Sequence, residues 1–178
     1  MPTVTYQIDP AHSAAHFSVR HMMISNVRGE FTKVSGRVLF DAENPANSAV
    51  EASIDAASIN TREAPRDAHL KSADFFDVEK YPEIAFRSTG VAAAGDGELR
   101  VKGGLTIHGV TREVTLMVEG PTPEAVDPWG NRRIGATATT KINRKDFGLV
   151  WNVALEAGGV LVGEDIKISI DIEAVRQA

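Results

Sequence analysis

The chain of 178 residues is 43% hydrophobic and carries a net charge of -5 from 19 basic and 24 acidic side chains. That is enough for one domain, residues 1–178, with a sizeable core, and it leaves no basic block for nucleic acid. The absence of cysteine excludes disulfides, thiolate metal sites and cysteine nucleophiles. No uncharged apolar run approaches the ~18 residues of a spanning helix, and the opening MPTVTYQIDP lacks the basic and apolar regions of a secretory signal. The expectation is a cytoplasmic protein.

Thr3 to Ile8 predicts a first strand with Val4, Tyr6 and Ile8 on one face, broken by Asp9-Pro10. From Ala15 to near Asn26 a second strand places Phe17, Val19, His21 and Met23 together. Gly29 marks a turn or bulge, after which Val34, Gly36, Val38 and Phe40 line one side of the next strand, and Asp41 to Ser48 is a loop. Val50, Ala52, Ile54 and Ala56 alternate with polar residues as a half-buried strand.

Between Asn60 and Thr89 the pattern changes. Thr61 to Glu83 carries four Lys or Arg against six Asp or Glu, so this insert belongs on the surface or over an opening. Arg62 to Ser72 predicts one short helix, with Thr61 or Asn60 as N-cap, Pro65 in the first turn and an Asp67–Lys71 pair. At least one of Phe75 and Phe76 must turn inward, and Tyr81-Pro82 returns the chain to a strand carrying Ile84 and Phe86. The insert therefore tethers a helix across a sheet edge or barrel mouth.

Ala92 to Gly97 reads as a small-residue turn, and Leu99, Val101, Leu105 and Ile107 form the next face. His108-Gly109 is a hairpin corner leading to Val114, Leu116 and Val118. Pro121 to Asn131 is a polar interruption. The strand that follows carries Ile134, Ala136, Ala138, Thr140 and Ile142, small enough to leave interior volume unless Phe17, Phe40 and Trp151 fill it. Asn143 to Asn152 mixes a polar turn with Phe147, Leu149 and Trp151, and Ile166, Ile168, Ile170 and Ile172 complete a nearly ideal strand. Eight to ten strands joined by mostly short gaps favour an antiparallel all-β domain, a barrel or a sandwich.

Five histidines invite a test for chemistry. A metal site on His12 and His16 needs a third ligand brought by folding, such as Asp67 or His69. Asp9, His12 and Ser13 have the residue types of a nucleophilic triad but no strained elbow, and nucleotide or metallohydrolase motifs are absent from the sequence. The expectation is a protein that is not an enzyme and uses no metal and no enzymatic cofactor.

The segments IDPAHSAAHFSVRH (8–21), SINTREAPRDAHLKSADFFDVEKYPEIAFRST (58–89), LTIHGVTREVTL (105–116) and INRKDFGL (142–149) together resemble the YceI-like family. The resemblance implies an extended antiparallel eight-stranded β-barrel, lipocalin-like, with a short helix near its mouth. It further implies a polyisoprenoid or isoprenoid quinone ligand in an elongated apolar pocket, held for carriage, storage or sequestration. Ligand-binding positions expected from the strand faces and the matched motifs are Phe17, Val19, His21, Phe40, Arg66, His69, Leu70, Phe75, Phe76, Phe86, Ile107, Phe147 and Trp151. His12, Ser13, His108, Asn143 and Arg144 also match the motifs. Two alternatives stand beside this reading: an enzyme acting on an isoprenoid through His69, Asp67 and His108, and a solid-core stress or interaction module. Transient membrane contact and a homodimer are further expectations.

Overall fold

The computed structural model describes residues 3–155 and 160–178. Twelve strands appear in chain order: β1 (Val4–Ile8), β2 (Ala14–His21), β3 (Ser25–Phe31), β4 (Val34–Phe40), β5 (Ala49–Asp55), β6 (Ile59–Asn60), β7 (Glu83–Gly95), β8 (Glu98–Ile107), β9 (Val110–Glu119), β10 (Ala125–Val126), β11 (Arg132–Asn143) and β12 (Val162–Arg176). One helix, α1 (Ala64–Lys71), lies between β6 and β7.

The strands form a closed antiparallel barrel because β11 and β12 pair over their length, from Arg133↔Val175 to Asn143↔Asp165. Several of the twelve are halves of one interrupted strand. The long β12 carries β1 on Ala174–Arg176 and β2 on Val162–Asp171, so β1 and β2 share one position, interrupted at Pro10 where the backbone lacks a donor. In the same way β4 pairs with β1 while β3 pairs with β2, and β5 pairs with β4 while β6 pairs with β3. Eight positions result, the size at which a barrel interior fits one small ligand.

Alternation decides which face is inside. Tyr6, Ile8, Val34, Val38, Ile84, Phe86, Val101, Leu105, Ile107 and Leu116 are buried, as period-two reading of these strands predicts. The His108-Gly109 corner is a two-residue turn with φ of 55° and 73°, and Ile107 pairs directly with Val110 across it.

Three expectations are corrected. The strand expected to run from Ala15 to near Asn26 is a hairpin, turning at Met22–Ile24 with Met22 and Met23 at φ of 51° and 62°. The turn expected at Ala92–Gly97 is mostly strand: β7 runs on to Gly95, and a register shift between Ser88 and Gly90 moves the inward parity to Val91. The helix starts at Ala64 with Glu63 at its N-cap, and Asp67 turns back to accept from the Thr61 amide at 2.9 Å and from its hydroxyl instead of meeting Lys71.

Among the described residues β6 pairs only with β3, while β7 begins beside β5, so the wall opens between them. The charged insert spans that gap. Arg66 anchors α1 there by donating to the Thr61 hydroxyl at 2.8 Å and carbonyl at 2.7 Å.

Candidate functional site

The barrel encloses a cavity of about 230 Å³, where one water needs about 10–15 Å³. Its wall is apolar and draws on most strands of the ring. On β12 the wall residues are Ile166, Ile168, Ile170 and Ile172, whose six residue steps span ~20 Å. The space exists because β11 faces it with Ala136, Ala138 and Thr140, side chains too short to meet the opposite wall. Phe17 and Phe40 stand in the wall without filling the space.

Of the thirteen expected positions, Phe17, Val19, Phe40, Leu70, Phe75, Phe76, Phe86 and Ile107 lie in the cavity wall. Phe17, Phe31 and Phe76 form a continuous aromatic stretch with ring separations of 5.6 and 5.5 Å, carrying the wall from β2 across to the insert. Phe17 needs Gly29 directly opposite, since a Cβ there falls 2.5 Å from its ring.

The other five positions are not among the lining residues. Trp151 packs on His69 and Phe75 at 4.7 and 5.3 Å, so Phe75 faces the cavity while His69 and Trp151 clasp it from outside. His69 also pairs through Nε2 with Asp74 at 2.9 Å. Arg66 holds the start of α1, and His21 ends β2 beyond the wall, opposite Ser25. Phe147 is 1% exposed, in the packed core outside the cavity lining.

The groups of the enzymatic alternative are not assembled. Asp67 is engaged by Thr61, His69 by Asp74, and His108 packs edge-on against Tyr81 with ring centroids 4.8 Å apart. Nor does the Asp9, His12, Ser13 set form a triad: His12 meets Asp9 at 2.8 Å, while the Ser13 hydroxyl bonds the backbone of Glu173.

The profile of the YceI-like domain matches residues 6–174. This chain belongs to the YceI-like family. A UPF0312 protein of Vibrio cholerae is 40% identical over 146 residues, 81% of this chain and 77% of the relative. Protein YceI of Escherichia coli O157:H7 is 38% identical over 174 residues, 97% of this chain and 87% of that protein. Among solved structures, Burkholderia cenocepacia BcnA superposes with a TM-score of 0.77 at 25% identity, covering 93% of this chain and 98% of its own. A polyisoprenoid binding domain from Saccharophagus degradans, 15% identical, shares the fold at a TM-score of 0.69 with 98% and 99% covered.

Two features of this YceI-like barrel escape sequence reading. Arg144, 3% exposed, donates to the carbonyls of Leu149 (2.6 Å), Gly163 (2.8 Å), Trp151 (2.9 Å) and Val162 (3.3 Å). Burial lowers its pKa, partly opposed by Glu164. It thereby ties the 149–151 segment to the start of β12, and Leu149 and Val162 are wall residues.

The second is a charge cluster around Arg133, whose guanidinium meets Asp127 at 2.7 Å and Asp9 and Glu173 at 2.8 Å. Asp9, His12 and Glu173 place ligand atoms within 4.8 Å of one another, a set that shares only His12 with the residues weighed from the sequence as candidate ligands, His12, His16 and Asp67 or His69. Arg133 already supplies the cation there.

Hydrogen bonds from Arg133 hold both Asp9 and Asp127 down at about 2, below the ordinary aspartate value of 3.8. Depressed carboxyls stabilise fully above their unfolded pKa and lose that contribution as pH falls through the folded one. Conformational stability is therefore expected to drop between pH 4 and pH 2, and the drop to flatten in Arg133→Gln. Urea unfolding across that range checks it; an unchanged slope in the variant contradicts the assignment. His12, raised by Asp9, acts in the opposite sense and loses its contribution as pH rises above 6.5.

Proposed function

We infer that the barrel holds an isoprenoid lipid, a polyprenyl chain or an isoprenoid quinone, along its axis for carriage, storage or sequestration, as a non-enzymatic binder. The observation that carries this reading is the elongated, wholly apolar wall along Ile166–Ile172, which suits a long flexible hydrocarbon. About 0.8 kcal/mol per buried methylene makes some ~15 carbons comparable with the cost of association, roughly 4–15 kcal/mol. The polyisoprenoid binding described for the Saccharophagus degradans domain supports the choice of hydrocarbon.

Titrating delipidated protein with polyprenyl alcohols and quinones of increasing isoprene number tests it. Affinity is expected to rise with each added unit until the cavity is full, then level off, with the ligand recovered chemically unchanged. Uptake of no prenyl length, or conversion of the ligand, contradicts the reading.

A further inference from the structure

The β2–β3 turn is an unusual place for apolar side chains. Its residues are Met22, Met23 and Ile24, and Ile24 is 76% exposed and Met23 57%. Met22 and Met23 both hold positive φ, which Asn or Gly adopts at lower cost in a hairpin. Apolar bulk is thus kept at a solvent-facing tip that neither packing nor backbone geometry favours.

The tip is not isolated. The Met22 amide donates to the Leu161 carbonyl at 2.7 Å, and the Leu161 amide to the Val153 carbonyl at 2.9 Å, laying three segments side by side. Val153 and Val150 (60% exposed) extend the tip into one apolar rim. Val162, next to Leu161, and Leu149, next to Val150, are cavity-wall residues, so the rim and the wall are consecutive positions of the same segments.

Cations lie behind the rim, on the same hairpin and the strands beside it. From Ser18 to Arg28 the hairpin contains Arg20, His21 and Arg28 and no acid. On the outward sheet face the register sets Lys141 opposite Lys167, Lys167 opposite Ser18 and Ser18 opposite Arg28, a row of three cations that includes a directly opposed like-charge pair. Of the acids nearby in the chain, Glu164 and Asp165 are engaged by Lys145 (2.7 Å) and Lys141 (3.5 Å), Glu30 and Asp171, further from the tip on the same outward face, lie 3.6 and 3.7 Å from His16, and Glu156 lies outside the described residues. Among the described residues Arg20, Arg28 and Lys167 meet no carboxylate, in a chain whose net charge is -5.

We propose that this rim docks on an anionic lipid bilayer, with Met22, Met23, Ile24, Val150 and Val153 entering the interface and Arg20, Arg28 and Lys167 facing the headgroups. An apolar tip backed by cations is complementary to such a surface, and the cations act within about 10 Å at ordinary ionic strength. Docking in this pose places the cavity end bounded by Leu149 and Val162 against the bilayer. It depends on the rim alone and not on what the cavity holds.

Flotation of delipidated full-length protein with phosphatidylglycerol–phosphatidylcholine vesicles tests it. The bound fraction is expected to fall about tenfold or more in the double variant Met23→Asp/Ile24→Asp. It should also fall in Arg20→Gln/Arg28→Gln/Lys167→Gln and at high salt, and be unchanged in Trp129→Ser, which alters another exposed apolar residue. Unchanged unfolding midpoints confirm that the variants fold. Absence of wild-type binding, equal binding by the double variant, or loss of binding in Trp129→Ser overturns the proposal. Prenyl uptake from detergent micelles, with no bilayer, reports on the cavity separately and is expected to be the same in the double variant as in wild type.

Discussion

Replacing Arg144 with Met is expected to cost about 3–5 kcal/mol of conformational stability, measured by urea unfolding. Its guanidinium is buried and satisfies the carbonyls of Leu149, Trp151, Val162 and Gly163. Methionine fills much of the volume but leaves buried acceptors without donors. Lys is not expected to rescue, because one ammonium on a flexible stem cannot reproduce the planar fork that reaches acceptors on two segments. A loss within about 1 kcal/mol, or rescue by Lys, contradicts the clasp. Since Leu149 and Val162 belong to the cavity wall, the variant should also bind lipid more weakly under conditions where it remains folded.

The second large effect is on binding. Phe17→Asp places a carboxylate in a wall whose cavity-facing surface is apolar, and prenyl lipid affinity is expected to fall roughly a hundredfold or more. Ala138→Phe supplies a test free of buried charge. Ala138 faces the cavity on β11 between Val118 and Ile170, and a phenyl ring there fills part of the cavity. Glu113→Gln, at an exposed position on β9, should bind as wild type. Equal binding by folded Ala138→Phe and wild type places the ligand elsewhere.

Elements whose signal is local were legible in the sequence. Ile166, Ile168, Ile170 and Ile172 announce an inward face by period alone, and the small residues of β11 announce space. His108-Gly109 announces its turn because Gly tolerates positive φ. The Met22–Ile24 turn did not, since none of its residues favours a turn and the apolar alternation runs straight through it. The small residues at Ala92–Gly97 mimic a turn, yet all but the last two extend β7.

The site divides along the same line. Phe17, Val19, Phe40, Phe86 and Ile107 reach the cavity because strand parity points them there. His21, Arg66, His69 and Phe147 belong to the matched motifs and Trp151 follows the last of them, but their places follow from tertiary contacts that no spacing encodes. The partners of Arg144 are backbone carbonyls, which leave no residue signature at all. Arg133 finds Asp9 across 124 residues, a distance at which periodicity carries no information.

The most direct test of the account is native mass spectrometry of freshly purified protein, followed by organic extraction of whatever is released. The account predicts one prenyl-bearing molecule per chain, with the extracted lipid giving the length the cavity accepts. A chain that is empty on purification and then takes up no quinone or polyprenyl lipid of any length contradicts it, leaving the barrel as an interaction module.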